Sequence, residues 1–347
     1  MELTTGDELW AAAIENVTTA DGPRVVASFL QPRPAYWFRR HVDLLSGETT
    51  MALRMDSTAT NPDPSSPPHA GKIGESAYLT TIYSNGLMLR AVYDGRAASW
   101  EFKFPWAETE GNTCDKWAAD SSPPAIFFGC ENVSVLASPG SNELTAIPAI
   151  AMYGAGAAGP GISVWSEIAA GTPPTSWIRA WSGGAAARNI VGPMPGAACG
   201  VAASTDRIVG VRSSEGSSTD CYDQIGAPEF WSVSRDGGAV ASWKFPDVTE
   251  ASVSRVVTWG DFAAARTVSG STDLPQAERS HIWLIRLSDG RMRRFAPTPG
   301  FEWRGSLLAL DDTFLYVGEN RAEHRSSFNK IIRYHIEDFD EIGSVVE

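Results

Sequence analysis

SHIWLIRLSDGRMRRFAP, residues 280–297, is the stretch that decides the fold. Apolar residues alternate along its first half, the chain turns at Ser288-Asp289-Gly290, and a second extended run ends at Pro297. An Asp-Gly pair supplies the positive φ angles that a tight hairpin turn needs, and alternation of this kind is typical of strands. The stretch therefore predicts a β-hairpin.

The same hairpin pattern recurs along the chain. Two clear copies are EFWSVSRDGGAVASWKFPD (229–247), with its turn at Gly237, and LMLRAVYDGRAASWEFKFPW (87–106), with its turn at Gly95. Weaker copies occupy 35–55, 161–181 and 330–346, with turns at Gly47, Gly171 and near Asp340. A repeat near fifty residues is typical of a propeller, a solenoid or an array.

Each hairpin follows a further apolar strand, such as DFAAARTVS (261–269), and most of these follow a shorter run, such as SRVVTW (254–259). Four antiparallel strands repeated six times predict an all-β fold, a six-bladed β-propeller; seven blades are the alternative, with a seventh hidden between residues 95 and 171. We expect one domain over 1–347, because a propeller distributes its core among blade interfaces. The predicted blades are about 1–55, 56–106, 107–182, 183–247, 248–298 and 299–347.

IWLIRLSDGRMRRFAP (282–297) resembles the repeat of TolB-type bacterial propellers, in which an apolar strand, an Asp-Gly turn and a basic strand alternate. The resemblance covers two of the six predicted blades well and the others only as pattern. It implies a fold and no particular function, because propellers carry many unrelated activities.

Charge and hydropathy exclude two classes of partner. The net charge of −13 argues against binding nucleic acid, which needs clustered Lys and Arg. No run approaches eighteen apolar residues, so we expect no membrane-spanning segment. The opening residues MELTTGDELW lack the basic start and the apolar stretch of a signal peptide. The chain is therefore either cytoplasmic or a mature domain whose export signal is missing.

The four cysteines bear on that choice. They form two local pairs in the sequence, Cys114 with Cys130 and Cys199 with Cys221. We interpret each pair as a disulfide that joins a loop to an adjacent strand, worth about 3 kcal/mol in the chain-entropy model. Disulfides favour a periplasmic or extracellular protein, and free thiols would favour a cytoplasmic one. No cysteine or histidine spacing suggests zinc, and we expect neither a metal nor a cofactor.

The predicted connections are longer on one face of the propeller than on the other. The face that carries the connections between blades and between second and third strands receives 56–73, 107–124, 154–161, 183–200, 213–228, 269–280 and 318–329. The opposite face receives tight turns such as Asp94-Gly95 and Asp289-Gly290. Long loops on a rigid scaffold carry most binding residues, so we place any functional site on the long-loop face.

Two sets of candidate residues follow. His69, His281 and His324 fall in or beside long loops of that face and are the candidate catalytic residues. Trp259, Trp303 and Arg304 lie near the predicted innermost strands and, with Asp223, are the candidate ligand-binding residues, since an aromatic ring there could stack on a flat ligand. Both tryptophans could instead serve inter-blade packing, and the histidines could be solvated loop residues.

Two motifs match known patterns but lack the context that would give them a function. GAGAAG (154–159) matches the dinucleotide-binding spacing, but Pro160-Gly161 follows it where a helix would be required, so we interpret it as a flexible loop. SRDGGAVASW (234–243) resembles the Asp-box of sialidase propellers in Ser234, Asp236 and Gly238, although Trp243 comes two residues late. The Asp-box is a fold element, and no set of arginines is singled out that would bind a sialic acid carboxylate.

The leading hypothesis is an exported, monomeric propeller that binds a small molecule, a glycan, a peptide or a protein partner on its long-loop face. The rival is a hydrolase or lyase whose acid and base residues come from loops of different blades. A third hypothesis is a structural or assembly scaffold. Whether the protein is an enzyme stays open at this point.

Overall fold

The computed structural model describes the strands and the larger part of the chain after residue 144. The described residues are 11–19, 22–33, 36–47, 49–56, 69–73, 76–82, 88–93, 98–103, 114–119, 125–130, 134–137, 144–183, 186–213, 226–270, 279–321 and 330–336.

The described strands form seven antiparallel sheets, and each sheet is built from strands that follow one another in the chain. The first three sheets are β1 Ala11–Thr19, β2 Gly22–Arg33, β3 Tyr36–Asp43 and β4 Thr49–Asp56; β5 His69–Ile73, β6 Ser76–Ile82, β7 Met88–Tyr93 and β8 Ala98–Lys103; β9 Cys114–Ala119, β10 Ala125–Cys130, β11 Ser134–Ala137 and β12 Leu144–Ile147. The next two are β13 Met152–Gly159, β14 Ile162–Ala169, β15 Thr175–Trp181 and β16 Arg188–Pro195; β17 Ala197–Ala203, β18 Arg207–Ser213, β19 Pro228–Ser234 and β20 Ala241–Lys244. The last two are β21 Ala251–Trp259, β22 Phe262–Ser269, β23 Ser280–Arg286 and β24 Met292–Phe295; β25 Phe301–Leu310, β26 Phe314–Arg321 and β27 Lys330–His335.

The sequence predicts the sheets well at both ends of the chain. The hairpin of 280–297 is β23 and β24, and its turn residue Gly290 has a φ of 72°. The copies at 35–55, 87–106 and 229–247 are likewise the third and fourth strands of their sheets. The predicted turn near Asp340 lies outside the described residues.

The prediction of six repeat units is wrong in the middle of the chain. The predicted blade 107–182 contains two sheets, because LTAIPAIAMYG (144–154) supplies both β12, which ends the third sheet, and β13, which begins the fourth. Residues 161–181 are second and third strands rather than third and fourth. The segment 183–200 is not one long loop but holds β16, and the GAGAAG segment is not a flexible loop but part of β13.

Small residues explain why β13 was missed. Its sequence MYGAGAAG lacks the large alternating side chains that predict a strand. Close packing requires this composition, because a Cβ atom at Gly159 would lie 2.5 Å from the backbone oxygen of Ala203 in the fifth sheet. In β17, AACGVAA, a Cβ atom at Gly200 would lie 2.4 Å from Cγ2 of Val256 in the next sheet. These strands are glycine- and alanine-rich so that neighbouring sheets can approach closely.

The first strands of successive sheets contact one another in chain order, β1 to β5, β9, β13, β17, β21 and β25. Strand β25 also contacts β1, so the last sheet lies against the first. The interface between them is an apolar cluster of Ile14, Val25, Ala27, Val42 and Leu44 with Ala309, Tyr316 and Ile331. Further apolar clusters join the fourth sheet to the fifth, the fifth to the sixth, and the sixth to the seventh.

Candidate functional site

Contacts between neighbouring sheets define two rims. We call loop rim the end of the sheets that carries the connections between sheets and those between second and third strands; the other end is the turn rim. On the loop rim, the hydroxyl of Ser176, near the start of β15, donates to the carbonyl oxygen of Gly196. Gly196 lies in the connection between the fourth and fifth sheets. On the turn rim, Arg235 after β19 donates to the carbonyl of Pro160, between β13 and β14.

The longest connections belong to the loop rim. Intervals 57–68 and 104–113 separate sheets, and 214–227, 270–279 and 322–329 separate second from third strands. The longest intervals of the turn rim are the shorter 138–143, 182–187 and 235–240. Of the predicted long connections, 154–161 and 183–200 are not such connections, as described above.

Two of the three candidate catalytic histidines lie in described strands, and these strands belong to different sheets. His69 is the first residue of β5 in the second sheet, and His281 is the second residue of β23 in the sixth. His324 and the candidate ligand residue Asp223 lie outside the described residues. Burial and the positive charge of Arg294 lower the pKa of His281, against the effect of a backbone hydrogen bond with Arg279.

The two candidate tryptophans lie at opposite rims. Trp259 ends β21, so it is at the turn rim, where it packs against the core between the sixth and seventh sheets. Trp303 is near the start of β25, at the loop rim, next to Arg304. The side chain of Trp303 is buried and its indole N–H donates to Oε1 of Glu319 at 2.8 Å. In this position the Trp303 ring serves the packing of the sixth against the seventh sheet.

A buried carboxylate organises the loop rim of the fourth sheet. Glu167 of β14 is 1% exposed, and its Oε1 accepts hydrogen bonds from the indole N–H of Trp165 at 2.9 Å and from Nη1 of Arg179 at 3.0 Å. Its Oε2 accepts from the backbone N–H groups of Ile150 and Ala151. Buried polar groups need such partners, and a buried ion pair needs them most. Glu167 thus fixes the connection between the third and fourth sheets.

Arg179 completes this arrangement from β15. Its Nη1 donates to the carbonyl oxygen of Pro148 at 2.6 Å, and its guanidinium lies 5.6 Å from the ring centroid of Trp165. The connection 148–151 is therefore held by its N–H groups through Glu167 and by a carbonyl through Arg179. Both charged side chains come from strands of the same sheet.

The fixed connection exposes apolar side chains. Ile150 is 48% exposed and Met152, the first residue of β13, is 47% exposed. Pro148 and Ala149 beside them are also exposed. We call residues 148–152 the apolar segment; because β13 is a first strand, the segment lies at the start of the innermost row of strands on the loop rim.

A second buried carboxylate occupies the equivalent place in the seventh sheet. Glu319 of β26 is fully buried, and its Oε1 accepts from the backbone N–H of Thr298 at 2.9 Å as well as from Trp303. Thr298 belongs to the connection between the sixth and seventh sheets. Burial and the negative charge of Glu319 raise the pKa of Tyr334 to about 12.

These carboxylates were missed by sequence reasoning, which searched the loops and not the strands for charged groups. The available signal was an acidic residue within an otherwise apolar strand, ISVWSEIA for Glu167 and FLYVGENR for Glu319. An acidic residue so placed must find buried donors.

Among the described residues, none of the groups of histidine, cysteine, aspartate or glutamate is arranged to hold a metal ion. Within the same residues, no helix has the length and apolar character needed to cross a membrane.

Comparison with solved structures shows a β-propeller fold. The propeller domain of the Trilobed protease from Pyrococcus furiosus is similar with a TM-score of 0.54 at 10% identity, over 93% of this chain and 95% of that one. Hsv2 from Kluyveromyces lactis gives 0.54 at 10% identity, over 95% of this chain and 100% of that one. An acylaminoacyl peptidase solved with Z-Gly-Gly-Phe-chloromethyl ketone gives 0.53 at 9% identity, over 95% of this chain but only 53% of that one.

No family model and no curated protein matches the chain in sequence. Identities of this size establish the fold alone, and the TolB-type repeat expected from 282–297 stays a prediction.

Proposed function

We propose that this chain is an exported β-propeller that binds a peptide or protein partner on its loop rim. The observation that carries the proposal is the placement of the five longest connections, 57–68, 104–113, 214–227, 270–279 and 322–329, on one rim of the sheets. Loops held on a rigid scaffold are where binding residues concentrate.

The similar structures favour a peptide or protein over a glycan as the partner. Two of them are the propeller domain of a protease and an acylaminoacyl peptidase, of which this chain spans about half; the names of both proteins state that they act on peptides. The likeness is one of fold, so it supports the partner class only by analogy.

The proposal includes seven blades in a closed ring. Support comes from the contacts of the first strands, which run through all seven sheets and return from β25 to β1. The interface between the last and first sheets buries Ile14 and Tyr316 almost completely, as expected of neighbouring blades. Replacing Tyr316 with Ala should cost about 3–5 kcal/mol of unfolding free energy, the range for emptying an aromatic site in a core.

Binding to the loop rim can be tested without knowing the natural partner. Selection from a displayed library of random peptides should yield binders, whose affinities are then measured by fluorescence anisotropy on synthetic copies. Ala170→Arg and Pro299→Arg place a long side chain on the loop rim; Ser182→Arg and Thr205→Arg add the same charge on the turn rim. All four positions are exposed, so the variants should fold.

We expect the loop-rim variants to weaken peptide binding by about tenfold, which is 1.4 kcal/mol, and the turn-rim variants to change it by less than about twofold. Equal effects on both rims, or a library that yields no binder, would contradict the proposed function.

Export is proposed from the cysteines. Cys114 opens β9 and lies directly opposite Cys130 of β10 in the strand register, rather than in a connection as the sequence suggested. Opposite residues of antiparallel strands are separated by about 4.5–5.5 Å between Cα atoms, within the range that a disulfide spans. Cys199 lies inside β17 and is disulfide-bonded. Its pairing with Cys221 stays a prediction, because Cys221 lies outside the described part of the chain.

Thiol titration of the denatured protein should therefore find no free sulfhydryl. Four free sulfhydryls would overturn the export proposal and favour a cytoplasmic protein. Sedimentation at micromolar concentration tests the expected monomer.

A further inference from the structure

We propose that the apolar segment, residues 148–152, is the contact for a basic peptide segment that carries a large apolar side chain. The proposal rests on the function proposed above and names the chemistry of the partner and the place where it binds.

The apolar segment stands out by exposure. Leu45, Ile150 and Met152 are large hydrophobic side chains with about half of their surface exposed, and Ile150 and Met152 lie two residues apart. Single exposed aliphatic residues are ordinary on protein surfaces, whereas contiguous apolar patches mark contact surfaces. Leu45, between β3 and β4, belongs to the turn rim, and no second large exposed hydrophobic side chain accompanies it among the described residues of that rim.

The backbone of the segment is fixed before any partner arrives. Oε2 of Glu167 accepts from Ile150 N–H and, at 3.2 Å, from Ala151 N–H, while Nη1 of Arg179 donates to Pro148 at 2.6 Å. Both side chains are almost entirely buried, at 1% and 10% side-chain exposure. A preorganised contact loses less conformational entropy on binding than a flexible loop would.

Charge indicates the chemistry of the partner. The loop-rim connections contain twelve acidic residues, namely Asp63, Glu108, Glu110, Glu131, Glu215, Asp220, Asp223, Asp247, Glu250, Asp273, Glu278 and Glu323, against the two basic residues Arg279 and Arg325. Acidic residues are also common at the turn rim, where Asp289 and Asp311 accept backbone N–H groups within their own turns.

Both rims are therefore acidic, and the apolar segment distinguishes the loop rim. An apolar contact on a rim whose connections are rich in acidic residues is complementary to a peptide that combines lysine or arginine with a large aliphatic or aromatic residue, because charge steers encounter and the apolar side chain supplies most of the affinity.

The test uses the peptides selected from the random library on the full chain. The variants are Ile150→Ser combined with Met152→Ser, and Leu45→Ser as the matched control on the turn rim. All three side chains are half exposed, so none of the substitutions opens a core cavity, and urea unfolding midpoints close to that of the parent protein verify this.

We expect the enriched peptides to contain basic and large apolar residues. The double variant should weaken their binding by at least about tenfold and Leu45→Ser by less than about twofold. Binding should also weaken as salt rises from about 50 to 300 mM, because screening reduces the attraction of the acidic rim.

Enriched peptides without basic residues, or binding that the double variant leaves unchanged, would overturn this inference. In that case the response to Pro299→Arg decides separately on the proposed function, which stands if that variant still weakens binding. A library that yields no binder overturns both.

Discussion

The fourth and seventh sheets place a buried carboxylate at the same position and use it differently. Glu167 and Glu319 are each the sixth residue of an eight-residue second strand. Each accepts an indole N–H and a backbone N–H of the connection that enters its own sheet. In the fourth sheet the carboxylate also forms an ion pair with Arg179, which holds a carbonyl of the same connection.

The sixth sheet shows the same position without a charge. Thr267 is the sixth residue of β22, and its hydroxyl oxygen accepts the indole N–H of Trp283 at 3.1 Å. In these three sheets a polar acceptor at this place satisfies a buried indole N–H, while the carboxylate also holds the preceding connection. The connection 148–151 is held at two of its N–H groups and one carbonyl, and it exposes Ile150.

The largest effect is expected from breaking the ion pair of the fourth sheet. Glu167→Gln removes the negative charge and leaves the guanidinium of Arg179 buried without its partner, which should cost about 3–5 kcal/mol of unfolding free energy in urea. The double variant Glu167→Gln with Arg179→Met should recover part of that loss, because the uncompensated charge is gone. A loss below about 1 kcal/mol in the single variant would show that the pair contributes little.

A smaller effect is expected in the seventh sheet. Glu319→Gln keeps an acceptor for Thr298 and Trp303 but weakens both hydrogen bonds, so the loss should be about 1–3 kcal/mol. The same variant should lower the pKa of Tyr334 from about 12, because removal of a negative charge stabilises the tyrosinate. Tyrosine absorbance followed against pH, with Tyr334→Phe as the reference that lacks this transition, measures the change; a pKa that stays near 12 would assign the whole shift to burial.

Removing the uncharged acceptor of the sixth sheet, Thr267, should cost less unfolding free energy. Thr267→Val removes the hydroxyl with little change in volume and leaves the indole N–H of Trp283 without that acceptor, a loss of about 1–2 kcal/mol. The double variant Thr267→Val with Trp283→Phe should lose much less unfolding free energy than the sum of the losses in the two single variants. Additive losses would mean that the hydrogen bond is not the origin of the effect.

Sequence reasoning succeeded where large apolar residues alternate around a glycine turn and failed where packing demanded small residues. IWLIRLSDGRMRRF identifies β23 and β24 almost to the residue, because its large apolar side chains alternate as buried strand residues do. The strands β13 and β17 carry alanine and glycine because neighbouring sheets approach closely there, and this demand is set by residues such as Val256 that are distant in the chain. The same holds for Glu167, whose partners come from a connection and from the next strand.

The smallest expected effect concerns the residue opposite Thr267. His281 pairs with Thr267 in the strand register, and its pKa is lowered by burial and by Arg294. A histidine whose pKa is lowered on folding favours the native state above the unfolded value near 6.5 and loses that contribution as the pH falls below it. Arg294→Gln should raise the pKa of His281 and flatten this fall in stability, because one source of repulsion for the imidazolium is removed. NMR titration of the imidazole measures the pKa directly, with Arg291→Gln on the same outer hairpin as the control. If Arg294→Gln leaves the pKa of His281 unchanged, burial alone lowers that pKa. The position opposite Thr267 is then no more sensitive to surface charge than any other buried site in the sheet.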